Sequence, residues 1–325
     1  MSGISITSSV AQRLNVQLVS CFDTGIKEGI NKVWRGTNGN STRTLPSIYE
    51  AILATKSETA ENVYTYAPSD YSLFDTDGDE TPVEGVKMYQ QSILNGRKKK
   101  RVVRLDLTDV EDDSNVGSWK TLFHTLGTAS VVAPYRKLVQ IMHDAGTIIS
   151  TIDDVAFFGT THPLRPKESG SQTWANDLVR PKGLNFDSFH EMFSTMIAFP
   201  GEDGYPCGSM PTKLAVGTQD LGMGMDICYV DKPSSLQGGG NKWFGLIDLV
   251  FVPEWTDGTC MLLDDTSSIE RAFIAQERQP VMMRPLFTSP EDPWVIKMDA
   301  LEYRVDGRYE VGIGHPRRAL RLRRS

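Results

Sequence analysis

The chain has 325 residues, 39% of them apolar and 23% charged, a globular composition that excludes wholesale disorder. No run of about 18 apolar residues occurs, so no membrane-spanning helix is predicted, and the Met1-Ser2-Gly3-Ile4 start lacks the charge and apolar run of a secretory signal. The net charge of -7 excludes a tight, general nucleic-acid binder.

Residues 1–45 read as an arm. They are rich in Ser, Thr, Asn and Gly, with thin apolar content around Val16, Leu18, Val19 and Phe22. Such a segment is ordered only by lying on something else, either its own chain or a neighbour. Leu45-Pro46-Ser47 then opens a short helix, with Pro46 in a first turn.

Residues 62–108 read as a long two-stranded excursion. Val63–Tyr66 is the ascending strand, and the acidic stretch SLFDTDGDETPVEG follows. The return segment RKKKRVVRLDLTD alternates, with Val103, Leu105 and Leu107 on one face and Arg104, Asp106 and Thr108 on the other. A hairpin with so little to bury is marginal alone, so it packs on its own body or on another subunit.

The strongest helix is predicted from Val116 to Ala145. Its apolar stripe runs through Trp119, Leu122, Phe123, Leu126, Leu138, Ile141 and Met142, with Pro134 inside and Gly146 as the cap. Beyond it, a helix is predicted to start at Asp187-Ser188, and a strand over Lys213–Gly217. Thr218 is read as the cap of a weak helix that contains Gly222 and Gly224. From Lys242 onward the pattern is mostly strand. Residues 293–306 and 308–316 are read as two strands facing each other across a hairpin turn at Asp306-Gly307. The end, RRALRLRRS, holds five arginines in nine residues: Arg317, Arg318, Arg321, Arg323 and Arg324.

Little in the sequence points to catalysis. The five histidines, His124, His143, His162, His190 and His315, make no H-E-x-x-H pair. His162 lies near Asp153 and Asp154, and a satisfied structural imidazole accounts for it better than a metal ligand does. The run Asp75–Glu80 resembles a calcium loop but lacks Gly at the sixth position and Glu at the twelfth. No P-loop, dinucleotide fingerprint or nucleophile elbow occurs. Cys21, Cys207, Cys228 and Cys260 are far apart and read as free thiols in a reducing compartment. No catalytic, cofactor-binding or metal site is assigned.

The sharpest charge feature is Arg97-Lys98-Lys99-Lys100-Arg101, with Arg104 beyond it. It fits a solvated loop, a nucleic-acid contact or a complement to an acidic neighbouring subunit.

Four stretches in order give the chain a relative. They are IYEAILATKSETAENVYTY, the basic-strand-helix segment NGRKKKRVVRLDLTDVEDDSNVGSWKTLFHTLG, VAPYRKLVQIMHDAG with VAFFGTTHP, and CMLLDDTSSIERAFIAQERQPVMM with YRVDGRYEVGIG. Together they make the chain resemble the Mu-like major head subunit family of tailed phages, which has the α+β Hong Kong 97-like capsid fold. The tail after Gly314 departs from the aromatic end of that family.

The resemblance implies an N-arm at 1–45 and an E-loop at 62–108. It implies a P-domain at 46–61 and 109–146, completed by the strands of 292–325, and an A-domain at 147–291. It further implies a non-catalytic shell protein of the virion, assembled in the host cytoplasm as hexamers and pentamers around double-stranded DNA. A portal, a separate scaffolding protein and a decoration protein are the expected partners, with no membrane and no large propeptide. The basic residues from Arg97 to Arg104 become candidate contacts between subunits. The C-terminal arginines face the lumen, face a neighbour or sit on a disordered tail. A nanocompartment shell of the same fold, and a metal-dependent hydrolase using His162, are the alternatives.

Overall fold

The computed structural model describes residues 8–34, 54–55, 63–66, 89–92, 99–107, 117–233, 240–266, 270–289 and 291–325. The acidic run Asp75–Glu80, the expected helix at Leu45, and Arg97 and Lys98 lie outside them.

In chain order the first elements are α1 (Ser8–Trp34), β1 (Ala54–Thr55), β2 (Val63–Tyr66), β3 (Tyr89–Ser92), β4 (Lys99–Asp106) and α2 (Gly117–Asp144). Next come β5 (His162–Pro163), β6 (Thr173–Trp174), β7 (Asp177–Arg180), α3 (Phe186–Ile197), β8 (Lys213–Val216) and α4 (Leu221–Tyr229). The last are β9 (Asp248–Phe251), β10 (Cys260–Leu263), β11 (Phe273–Phe287), α5 (Pro293–Met298), β12 (Ala300–Ile313), a 3-10 turn at Pro316–Arg318, and β13 (Ala319–Arg324).

Two main sheets result. One has the order β1-β11-β12-β4, the other β7-β13-β10-β8-β9. α2 lies where they meet. Leu138, Val139 and Met142 of its second half share a core with Ala215, Val250 and Met261 of the five-stranded sheet, and with Phe273, Val311 and Ile313 of the four-stranded sheet. A second core fills the space between the five-stranded sheet and α3 and α4, around Phe189, Met192, Leu214, Leu249, Leu262 and Leu320. A third joins α1 and α2 to the four-stranded sheet, through Leu14, Leu18, Phe22, Phe123, Leu105, Leu301 and Tyr303.

Several expectations change. Ser8–Trp34 is a helix, not a limb in search of a partner. Leu14, Leu18 and Phe22, spaced by four, form a helical stripe that is buried against α2. Gly127 of α2 makes this close approach possible, because a Cβ there would collide with the carbonyl of Phe22.

The hairpin is also rearranged. β2 pairs with β3, Val63 opposite Ser92 and Tyr66 opposite Tyr89. The expected return strand, β4, pairs instead with β12, Asp106 opposite Ala300 and Lys99 opposite Gly307. The alternation read in β4 is as expected, with Leu105 fully buried and Val103 and Leu107 packed on the same core.

Asp306-Gly307 is not a turn. β12 runs straight through it, paired with β11 on one side and β4 on the other. Opposite this point the β11 register shifts between Glu277 and Met282. A Cβ on Gly307 would lie 2.7 Å from Cγ2 and 3.1 Å from Cα of Val281, so glycine here permits close strand approach rather than a bend. Residues 293–298 form α5 and not a strand. Asp292 caps the backbone N–H of Trp294, and Pro293 sits in the first turn, where it has no N–H to lose.

Two caps also move. Asn185, not Asp187, caps α3, since its side chain accepts from the N–H groups of Asp187 and Ser188 while Ser188 Oγ accepts from Asn185 N. Thr218 donates to the Trp255 carbonyl instead of capping α4, whose N-cap position is Asp220.

Candidate assembly surfaces

β4 is the last strand of its sheet among the described residues, and three of its exposed side chains are basic, beside Val102 and Asp106. Lys100, Arg101, Val102 and Arg104 are exposed, while the inward-facing Leu105 anchors the strand in the third core. Arg104 pairs with the carboxylate of Glu302 on β12 and stands over the Trp294 ring, 5.5 Å from its centroid. Lys100 and Arg101 border a cavity of about 180 Å3 walled by Leu126 and Ala129 of α2 and by Val305 and Asp306 of β12. Asp306 is buried, with Arg304 at 3.3 Å and Arg284 at 3.9 Å. The edge therefore presents cations from a rigid strand. Charged edges of this kind resist indiscriminate strand addition and favour a partner of opposite charge.

The C-terminal arginines behave otherwise. The basic segment is not a disordered tail: it forms the 3-10 turn and β13, an interior strand of the five-stranded sheet, and four of the segment's five arginines bind within the chain. Arg321 meets Asp177 through two bonds, Nε–Oδ1 at 3.0 Å and Nη2–Oδ2 at 2.8 Å, and its guanidinium lies 4.7 Å from the Phe158 ring centroid. Arg323 grips the same carboxylate at 3.2 and 2.7 Å. Burial would lift the Asp177 carboxyl, but the hydrogen bonds and charges of Arg321 and Arg323 outweigh it and hold the group below the usual aspartate range. Arg318 pairs with Asp264 at 2.6 Å and Glu270 at 2.7 Å. Arg317 donates to the carbonyls of Pro200 and Leu164 at 2.9 and 2.8 Å, and faces the Trp174 ring. Arg324 is exposed. Four of these five charges find their acceptors 48 to 153 residues away in sequence.

His162 is fully buried and stacks on Trp174. Its Nδ1 lies 2.6 Å from Asp153 Oδ2, and its Nε2 lies 3.1 Å from Asn176 Oδ1. The same Asn176 oxygen accepts from Gly159 N at 2.9 Å, while its amide nitrogen donates to the carbonyls of Phe157 and Pro316. The imidazole is thus a structural post, closed off from solvent by its own ligands. No group of three or more His, Cys, Asp or Glu able to hold a metal stands together among the described residues. Asn176 and Asp177 were missed in the sequence, where an Asn-Asp pair reads as a turn. His315 is buried nearby, with its Nδ1 accepting from Arg317 N. Burial first, and then the positive charges of Arg317 and Arg318 and the nearby His162, hold its pKa well below the usual imidazole value. Cys207, Cys228 and Cys260 are buried thiols, and burial pushes Cys228 up to about 12.

With the fold and its surfaces described, comparison becomes informative. A model of the family "Mu-like prophage major head subunit gpT" matches residues 26–183, from the last turns of α1 to just past β7 and just under half of the chain. Over these residues the chain is similar to the Mu-like major head subunits. The capsid of the cyanophage P-SCSP1u shares the fold, at 9% identity over 91% of this chain and 94% of that one, with a TM-score of 0.54. The procapsid protein of bacteriophage JBD30 is 18% identical over 95% of this chain and 75% of its own, with a TM-score of 0.48. A virus-like particle from Pyrococcus furiosus is 11% identical over 93% and 98%, with a TM-score of 0.47. These last two scores are too low to add weight. No curated relative matches the sequence. The expected α+β Hong Kong 97-like capsid fold is the fold observed.

Proposed function

We propose that this chain is the major head subunit of a tailed phage, that it tiles as hexamers and pentamers into the icosahedral head, and that it encloses double-stranded DNA without catalysis. The observation that carries this reading is the match of residues 26–183 to the Mu-like head subunit. Its physical counterpart is the cationic edge of β4 on a chain of net charge -7, since repeated copies then bring opposite charges together. The acidic whole also suits containment of DNA better than tight binding to it.

In capsid terms we read residues 1–45 as the N-arm, and the hairpin within 62–108 as the E-loop. We read α2 with the four-stranded sheet as the P-domain, and the body around the five-stranded sheet as the A-domain. Arg97, Lys98, Lys99, Lys100, Arg101 and Arg104 then contact the neighbouring subunit. A portal, a separate scaffolding protein and a decoration protein complete the head, which forms in the host cytoplasm.

The test is sedimentation and light scattering of the purified chain, alone and with its scaffolding protein. Fast-sedimenting, uniform particles are expected in at least one condition. A well-dispersed monomer at high concentration in both would contradict the reading.

A further inference from the structure

We infer that β13 closes the five-stranded sheet, so that this sheet forms only once residues 317–325 are available. The shell would thereby admit chains that carry β13 and reject chains cut before it. This last step rests on the head-subunit reading; the folding step does not.

β13 lies between β7 and β10, parallel to the first and antiparallel to the second. Leu322 stands opposite both Leu178 and Cys260, and Ala319 stands opposite Leu263. Without it the sheet is split into a lone β7 and the trio β10-β8-β9, each with an unpaired edge facing a gap. Unpaired backbone groups in a buried gap are costly, and so is an open edge.

Both faces of the strand are buried. Ala319, Leu320 and Leu322 have no solvent exposure. Ala319 belongs to the core shared by α2 and both sheets, and Leu320 and Leu322 to the core beneath α3 and α4. The segment therefore completes two cores at once.

Its charges close the same gap. Asp177 on β7 and Asp264 after β10 are buried acids, and the guanidiniums of Arg321, Arg323 and Arg318 are what they face. A buried carboxylate left without its cation is strongly unfavourable, so the sheet before β13 arrives carries charges it cannot satisfy. The chain also keeps a place for the guanidinium. Gly146, just past the end of α2, has the Arg321 head where any Cβ would stand. The outer end of the strand is exposed at Arg323 and Arg324, as is Ser325 after it, so a tether attached there does not enter the core.

Order of synthesis makes this arrangement consequential. β7, β8, β9 and β10 all leave the ribosome before β13, and so do the four-stranded sheet and α2, whereas domains commonly fold as they emerge. Here the sheet waits for residues 317–325.

The experiment uses the full chain stalled on the ribosome through flexible Gly/Ser linkers of increasing length after Ser325, and reads protease resistance between residues 147 and 263. Resistance is expected only with linkers long enough to free residues 317–325. Resistance already present in chains stalled before Arg317 has emerged would overturn the proposal.

A second readout mixes a chain ending at Pro316 with an excess of full-length chain during assembly. The short chain is expected to be at least tenfold depleted from the particles, and its depletion is expected to lessen when a synthetic 317–325 peptide is added. Incorporation at the input ratio without peptide would overturn the selection step. Absence of particles from full-length chain, both by itself and with the scaffolding protein, would instead count against the head-subunit reading and leave the protease result standing.

Discussion

Gly25 of α1 rests directly against the carbonyl oxygen of His124 on α2, closer than any side chain there would allow. The Thr128 hydroxyl donates to the Gly25 carbonyl at 3.1 Å, and His124 pairs with Glu28 at 2.8 Å one turn further on. The two helices meet backbone to backbone, and Leu18 and Phe22 are buried as a result. Replacing Gly25 by Val forces the helices apart. The expected cost is about 1–3 kcal/mol, as for other overpacked sites. It should be seen as a lower urea midpoint, with new protease cleavage inside residues 8–34. An unchanged midpoint and an uncut α1 would show that the crossing is looser than described.

Arg321 and Asp177 give a second expectation. Arg321→Ala leaves a buried carboxylate with only the half-exposed Arg323, and should destabilise the subunit by about 3 kcal/mol. Adding Asp177→Leu to Arg321→Met should recover much of that loss, because the uncompensated charge is then gone. Urea melts of the two variants decide this, and a double variant less stable than the single one would contradict it.

The contrast between these two sites shows what could be read in the sequence. α2 was legible because Phe123, Leu138 and Met142 keep one face over many turns, and β4 because Val103 and Leu105 alternate. α1 had its stripe too, Leu14, Leu18 and Phe22, but it was hidden among Ser, Thr and Asn that suggested a loop. α5 carried a readable Asp292-Pro293 start that the β-rich surroundings overrode.

Other features left no local trace. Asp306-Gly307 is a turn signal by type, yet strands on both sides hold it straight. β13 was not read as an interior strand, because nothing nearby in sequence reveals Asp177 or Asp264. The basic β4 residues were found by charge alone, and where they lie on a sheet edge is a property of the tertiary fold.

Acid should loosen the junction around the chain terminus. His315 has a folded-state pKa held well below the unfolded value of about 6.5, by burial and by Arg317, Arg318 and His162. The unfolded state therefore binds the proton first. Stability from this group is complete above about pH 6.5 and falls as pH drops below it, by up to about 1.4 kcal/mol per pH unit. Asp177, also depressed, adds a loss of the same sign below about pH 4. His315→Asn keeps a side-chain acceptor for Arg317 N but does not titrate, so the fall in Tm between pH 7 and pH 5 should shrink. An equal fall in the variant would assign the acid sensitivity elsewhere.

Charge reversal on β4 separates folding from assembly. Lys100 and Arg101 are exposed, so Lys100→Glu with Arg101→Glu should shift subunit stability by no more than about 0.5 kcal/mol per site. Particle yield should fall at least tenfold. Wild-type assembly should also weaken between about 0.1 M and 1 M salt, as the screening length drops from about 10 Å to 3 Å. Normal yield from the reversed variant would remove β4 from the list of contacts between subunits.

The central claim is that copies of this chain close into a shell. Electron cryomicroscopy of particles made by the full chain with its scaffolding protein tests it most directly. The account predicts closed icosahedral particles whose repeating unit has the two sheets joined along α2, with Lys100 and Arg101 against acidic groups of an adjacent copy. Open aggregates, or single folded molecules with no contact between copies, would contradict it.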